Sequence, residues 1–180
     1  MAVFRAGDPA EFIGIVLEGA VQVLREDYYG NRSILAHIGP RELFGETYAF
    51  ATVDTLPVSI AAVEDTQLLL LDSRRITACC SNACAFHNRV IFNLLRLVAS
   101  KNLDLHQKIQ ITAQRTTREK LMAYLLSVAK IQGPSFRIPY DRQALADYLE
   151  VDRSGLSAEI SKLRKERVLE CEKNSFRLLK

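Results

Sequence analysis

Residues 141–163 read DRQALADYLEVDRSGLSAEISKL, and this stretch decides the fold of the C-terminal part of the chain. Its apolar residues recur at the three- and four-residue spacing of two amphipathic helices. Only Glu150-Val151-Asp152 lies between them, which is long enough for a sharp turn, and Asp152 is a suitable N-cap for the second helix. The pattern predicts a helix-turn-helix. The apolar positions are Leu145, Tyr148 and Leu149 in the first helix and Leu156, Ile160 and Leu163 in the second.

The first turn of the second helix offers Arg153, Ser154 and Ser157 outward. This suits a recognition helix, whose N-terminal side chains meet base edges in the DNA major groove. An Arg there can make two hydrogen bonds to a guanine edge, so we expect these three residues to read bases. The alternative is a helical hairpin that is only part of a core. Contacts to DNA phosphates, which position rather than specify, are expected from Gln143, Lys162, Arg164, Lys165 and Lys173.

The segments that flank the two helices predict short strands. Residues 136–138 form one before the helices, and residues 168–171 and 175–178 form two after them. Glu172-Lys173-Asn174 connects the last two as a hairpin, of the kind called a wing. A strand, two helices and a hairpin in this order are typical of a winged-helix DNA-binding domain.

The N-terminal part has short β-type runs separated by turn residues, which predicts a barrel, a jelly roll or a sandwich. Near its centre lies Leu43-Phe44-Gly45-Glu46, after the turn at Gly39-Pro40. In a β-roll such a Gly lets the backbone approach a ligand, and the Glu can accept a hydrogen bond from a hydroxyl. The predicted strands are residues 13–17, 20–24, 33–37, 59–62 and 67–71.

A long segment from about residue 83 to residue 113 contains no Pro or Gly and repeats apolar residues at helical spacing. We expect one helix of about 30 residues, which is too long for a small domain. Its apolar stripe is broad enough to pack on the β domain on one side and on the same helix of a second copy on the other. The alternative is a helix that only covers the β domain of its own chain. The expected dimer interface consists of Ile91, Leu94, Val98 and Leu105.

Length and charge agree with this organisation. The chain has 180 residues and a net charge of +3, but residues 1–78 contain 6 Lys and Arg against 11 Asp and Glu. Residues 79–115 and 116–180 each carry a balance of +4. An acidic N-terminal part and a basic C-terminal part are typical of a sensor domain joined to a domain that binds the phosphates of nucleic acid. We expect no membrane span and no signal peptide, and therefore a cytoplasmic protein.

With these features in this order, residues 3–179 resemble the CRP/FNR family of bacterial transcription regulators. The resemblance implies an α+β fold: an N-terminal β-roll (a double-stranded β-helix of the cyclic-nucleotide-binding type), a long dimerisation helix and a C-terminal winged helix-turn-helix. It places these in residues 1–78, 79–115 and 116–180. The family's recognition-helix motif, Ser-Arg-x-Ser/Thr-Val/Leu-Ser/Gly-Arg, is matched by residues 152–158, with Ala158 in place of the last Arg.

The sensor departs from the family pattern. In cyclic-AMP-binding members an Arg-Ser or Arg-Thr pair after the Phe-Gly-Glu holds the cyclic phosphate, whereas residues 55–59 here read TLPVS. A phosphate buried without a cation is costly, so we expect no cyclic AMP binding of the family's kind. No cofactor is indicated; an unidentified small-molecule effector is compatible with the β-roll, at Gly45, Glu46 and Thr47. Members also have more residues at the N-terminus, so the chain is expected to start inside the domain or to have a small β-roll.

Other chemistries find little support. Cys79, Cys80 and Cys84 are expected to be ordinary small buried residues, because the fourth cysteine, Cys171, lies apart from them in the wing. A thiol-based redox or metal role is the alternative. His37 is the only histidine in the β part, so a metal-dependent cupin enzyme is excluded. No catalytic residues and no metal site are indicated, and we expect no enzyme.

The sequence therefore predicts an effector-responsive homodimer that binds double-stranded DNA and regulates transcription. Its further partner is RNA polymerase if it activates, and we expect no membrane partner. Two alternatives stay open: a thiol-sensing regulator of the same family, and a ligand-binding or protein-interaction module without DNA binding.

Overall fold

A computed structural model describes residues 1–51, 53–77 and 85–179. The chain divides into two compact units, Met1–Asp104 and Leu105–Lys180. The first unit contains the predicted β domain, and the second contains the predicted winged helix.

The first unit is built from short antiparallel strands in two sheets. The strands of this unit are Ala2–Phe4 (β1), Phe12–Glu18 (β2), Val21–Glu26 (β3), Arg32–Ile38 (β4), Leu43–Phe44 (β5), Ser59–Ala62 (β6) and Gln67–Asp72 (β7). One sheet has the order β1-β6-β3-β4, and the other has the order β5-β2-β7.

Both sheets contribute to one apolar core, because the side chains alternate in direction along each strand. Val16 and Phe44 come from one sheet, Val21 and Ile60 come from the other, and all four are buried in the same cluster. Gly14 pairs with Phe44, and a Cβ on Gly14 would lie only 2.0 Å from the Phe44 ring. The ring therefore occupies the space that any other residue at this position would need.

The first unit contains two short helices. These are Glu46–Phe50 (α1), which directly follows β5, and Ser73–Thr77 (α2), which follows β7. The long helix Ala85–Thr112 (α3) comes next, and its sequence continues beyond Asp104 into the second unit. The prediction of one long helix without a break is confirmed for the residues that are described.

The second unit has the predicted winged-helix order. The elements are Thr117–Gln132 (α4), Ser135–Arg137 (β8), Arg142–Leu149 (α5), Arg153–Lys165 (α6), Leu169–Glu172 (β9) and Ser175–Leu178 (β10). The helix α4 begins with a capping box, in which the Thr116 hydroxyl accepts from the Glu119 amide and the Glu119 carboxylate accepts from the Thr116 amide. The sheet has the order β8-β10-β9.

Leucine side chains from α4, α5 and α6 form the core of the second unit. Each buried Leu contributes about 1.5–3 kcal/mol relative to an exposed one, so this core holds the three helices together. The leucines of this core with no exposed surface are Leu121, Leu125, Leu145, Leu149, Leu156 and Leu163.

The sequence located most strands to within one or two residues, but it missed β1 and β5. These two strands have only three and two residues, too few for an alternating pattern to stand out. No helix in the described ranges is long and apolar enough to cross a membrane.

Candidate nucleic-acid interface and β-roll site

Both helices of the helix-turn-helix start at an aspartate cap. The Asp141 carboxylate accepts from the Ala144 amide at 2.8 Å, and the Asp152 carboxylate accepts from the Gly155 amide at 2.9 Å. A side-chain hydrogen bond from Ser154 and the amide of Gly155 lower the pKa of Asp152 below its usual value. The prediction that Asp152 caps the second helix is confirmed.

The turn between the helices contains a residue in the left-handed region. Glu150 caps the end of α5 with φ 54° and ψ 54°, a conformation that glycine adopts with less strain. The turn therefore holds a non-glycine residue in a strained backbone conformation. The Val151 amide donates to the Ala146 carbonyl at 3.1 Å, which closes the turn directly before α6.

The three predicted base readers lie on the exposed side of the first turns of α6. Arg153, Ser154 and Ser157 are exposed, whereas Leu156 and Ile160 are buried beneath them. Arg153 forms no salt bridge with any described residue, so its guanidinium is available to a ligand. The Ser154 hydroxyl instead donates to the Asp152 carboxylate, which ties this side chain to the cap.

The predicted phosphate contacts are also at the surface, with different local partners. Arg164, Lys165 and Lys173 are exposed, and Lys173 occupies the tight wing turn with φ 51°. Gln143 donates to Asp147 at 2.8 Å, and the Lys162 ammonium lies 3.5 Å from Glu159. Exposed pairs of this kind are weak, so both side chains can exchange them for a phosphate oxygen.

An arginine that the sequence did not single out connects α4 to α6. The Arg118 guanidinium donates to the Glu159 carboxylate at 3.3 Å and makes a two-pronged contact with Glu166, one bond of it 3.0 Å long. A bidentate arginine contact fixes orientation as well as distance. The spacing along the chain gives no signal for these pairs, since Arg118 is 41 and 48 residues from its partners.

The one cysteine that is described lies in the wing. The Cys171 sulfur accepts from Arg142 at 3.3 Å, and the same guanidinium lies 5.2 Å from the centre of the Phe176 ring. The other three cysteines, Cys79, Cys80 and Cys84, lie outside the described residues. Within residues 1–51, 53–77 and 85–179, no three metal-ligating side chains come together.

The residues predicted for effector binding follow β5. Gly45 has φ 82°, and a Cβ there would lie 2.9 Å from the Phe12 carbonyl oxygen, so the close approach is to β2. Glu46 is buried, and its carboxylate forms an ion pair of 2.9 Å with Lys101 of α3. Its second oxygen, Oε2, has no hydrogen-bond partner in the described part of the chain. Thr47 is exposed and donates to Glu46 at 3.4 Å.

The segment that corresponds to the family's phosphate-binding Arg pair has apolar side chains in the core. Leu56 and Val58 are buried with 5% and 3% of their surface exposed, and residues 53–59 contain no Lys or Arg. The segment therefore supplies core side chains and offers no cation to an anionic ligand.

The predicted dimer residues leave apolar surface exposed along α3. Ile91, Val98 and Leu105 are 40%, 45% and 56% exposed, and Leu94 is half-buried. Phe92, Leu95 and Ile109 on the same helix are also more than half exposed. A helix with this much apolar surface in water is typical of one that meets a partner.

The described elements form an N-terminal β domain, a long helix and a C-terminal winged helix-turn-helix. Two family models match the chain in the corresponding places: the cyclic nucleotide-binding domain at residues 2–83 and the Crp-like helix-turn-helix domain at residues 119–180. The chain belongs to the CRP/FNR family. The resemblance stated from the sequence and the predicted fold class are both confirmed.

Known relatives agree with this assignment. The chain is 28% identical over 143 residues to the cyclic AMP receptor protein of Thermus thermophilus, a match that covers 79% of this chain and 64% of that protein. The match therefore spans less than two thirds of that relative's length.

Solved structures share the fold over the whole chain. FixK2 from Bradyrhizobium japonicum is 20% identical with a TM-score of 0.77, over 100% of this chain and 88% of that one. The c-di-GMP responsive global regulator CLP of Xanthomonas campestris is 21% identical with a TM-score of 0.81, over 99% of this chain and 89% of that one.

Proposed function

We propose that this chain is a homodimeric, DNA-binding transcription regulator whose β domain responds to an effector. The proposal divides the chain into a sensor (residues 1–78), a dimerisation helix (79–115) and a winged-helix DNA-binding domain (116–180). It acts as a regulator and not as an enzyme, and it works in the cytoplasm, where bacterial DNA is found. RNA polymerase is its further partner if it activates transcription.

One observation carries the proposal: α6 presents a polar, cationic N-terminal end on a helix whose other face is buried. Arg153 and Ser157 are exposed, whereas Leu156 and Leu163 have no exposed surface. A helix held in this way cannot turn its outer side chains inward without opening the core. Its first turn therefore meets whatever approaches the domain, and an arginine there suits a guanine edge.

The basic residues around α6 support DNA as the partner of this surface. Arg164, Lys165 and Lys173 are exposed, and phosphate contacts from such residues supply the part of DNA affinity that does not depend on sequence. In a two-fold dimer two copies of α6 would meet half-sites about one helical turn apart, so the target should be an inverted repeat.

The dimer interface in this proposal is the exposed apolar surface of α3 at Ile91, Leu94, Val98 and Leu105. The effector in this proposal binds near Gly45, Glu46 and Thr47. It is not cyclic AMP held in the family's manner, because residues 53–59 offer no cation to the cyclic phosphate. The Xanthomonas campestris neighbour is described as c-di-GMP responsive, which is consistent with effectors other than cyclic AMP on this fold.

The proposal is tested with two variants that should weaken DNA binding differently. Arg153→Ala should weaken the binding free energy for a preferred duplex by about 1–3 kcal/mol and relax sequence preference, because it removes a base contact. Lys165→Ala should weaken preferred and scrambled duplexes alike and reduce the slope of log affinity against log salt by about one. Fluorescence anisotropy at several salt concentrations measures both.

Lys130→Ala is the matched control, since Lys130 is an exposed lysine in the last turn of α4. It should leave the affinity and the salt slope unchanged. An equal loss on preferred and scrambled duplexes for Arg153→Ala would contradict the role of Arg153. An interaction module that does not bind DNA would give no salt-dependent binding with any of the proteins.

A further inference from the structure

A lysine of α3 is buried against the helix-turn-helix. Lys108 has only 8% of its surface exposed, and its ammonium donates to the Tyr148 carbonyl. The same ammonium lies 3.4 Å from the centre of the Tyr148 ring. A buried ammonium is costly unless it is paired, so these two contacts are what keep Lys108 in place.

The contacts fall on the C-terminal end of α5. Tyr148 is in the last turn of this helix, where backbone carbonyls have no partner within the helix. Positive charge is favoured there, since the helix dipole leaves this end negative. A second ammonium reaches the same place, because Lys120 of α4 donates to the Glu150 carbonyl at 3.3 Å.

The end of α5 determines where α6 begins. Glu150 is in the strained left-handed conformation, Val151 bonds back to Ala146, and Asp152 caps α6. Only this turn separates the Tyr148 carbonyl from the side chain of Arg153. A shift at the end of α5 is therefore passed directly to the first turn of α6.

We propose that Lys108 is a positioning residue for DNA recognition: its ammonium on α3 fixes the end of α5 and so sets where α6 presents Arg153. The inference rests on the proposed function, because it concerns the same DNA-binding surface. It also gives α3, which carries the proposed dimer interface, a direct polar contact with the helix-turn-helix.

The charge of Lys108 can be changed within an accessible pH range. The pKa of its ammonium is lowered to about 8, chiefly by burial; the carboxylate of Glu150 opposes the shift, and the positive charge of Lys120 contributes to it. The ring of Tyr148 faces the ammonium, and Tyr124 of α4 packs against that ring at 5.2 Å. Above this pKa the neutral amine loses its attraction to the ring and to the helix end. DNA binding should therefore weaken as the pH rises through this value.

The test compares wild type, Lys108→Met and Lys108→Arg on a fluorescent duplex recovered by selection from random DNA. Anisotropy titrations run from about one pH unit below that pKa to about one unit above it. Below the pKa of Lys108, Lys108→Met should bind the duplex about three- to tenfold more weakly than wild type. The Met variant should lack the wild-type fall in affinity at higher pH, and Lys108→Arg, which stays charged, should lack it too.

A purely packing role would weaken the variants without changing the pH profile, so an identical profile in wild type and Lys108→Met overturns the inference. Lys130→Met is the matched control and should behave as wild type. Circular dichroism verifies that each variant is folded.

Amide hydrogen exchange at Val151 and Asp152, measured without DNA, distinguishes a failure of the Lys108 role from a failure of the proposed DNA-binding function. Faster exchange in Lys108→Met supports the positioning role even if no duplex is bound, in which case it is the proposed function that fails. Unchanged exchange in a wild type that does bind DNA overturns the role of Lys108 alone.

Discussion

Replacing Lys101 by Met should destabilise the first unit through the carboxylate that it leaves behind. The Glu46 side chain is 4% exposed, the Lys101 side chain is 30% exposed, and their charged atoms are 2.9 Å apart. The second oxygen of Glu46 has no hydrogen-bond partner among the described residues, so Lys101 is the main compensation for a buried charge.

The size of the effect follows from the burial of the pair. Removing one partner of a fully buried ion pair costs about 3–5 kcal/mol. Water reaches part of the Lys101 side chain, so the expected loss is smaller, about 2–3 kcal/mol in the free energy of unfolding. Urea unfolding followed by circular dichroism, at one fixed protein concentration, measures it.

Two further variants test the cause. Lys130→Met removes an exposed lysine and should change stability by less than about 0.5 kcal/mol. Adding Glu46→Gln to Lys101→Met should recover part of the loss, since the neutral amide leaves no buried charge. If the double variant were as unstable as Lys101→Met, or if Lys101→Met were as stable as Lys130→Met, the explanation by an unpaired carboxylate would be wrong.

Two other predictions concern the core of the second unit and the effector. Leu156→Ala should lower the free energy of unfolding by about 2–5 kcal/mol, because Leu156 has no exposed surface and leaves a cavity, whereas the exposed neighbour Ser157→Ala should have little effect in the same urea titration. Cyclic AMP should bind no more tightly than adenosine in calorimetry, since residues 53–59 supply no cation for the phosphate; a clear preference for cyclic AMP would refute this.

The winged helix could be predicted closely because its signals are local. Asp152 caps the helix that its position suggested, and Leu156 and Ile160 are buried at the spacing that predicted them. The wing strand Ser175–Leu178 has the predicted bounds. In each case the residues that decide the structure are within a few positions of one another, so a periodic pattern or a cap is visible in the sequence.

The contacts that hold the site in place could not be predicted in this way. Lys101 and Lys108 are both on α3, and the apolar pattern that predicted this helix says nothing about either lysine. Their partners, Glu46 and Tyr148, are 55 and 40 residues away along the chain. Whether a lysine on a long helix is solvated or buried depends on which carbonyl or carboxylate the fold brings to it, and spacing carries no information on that.

Selection of bound sequences from a random DNA pool tests the central claim most directly. If α6 of a two-fold dimer reads the major groove, the purified protein should enrich an inverted repeat with half-sites about one helical turn apart. Arg153→Ala should lose the preference at one position of each half-site. Failure to enrich any sequence at low ionic strength, with a folded protein, would contradict the claim that this surface recognises DNA.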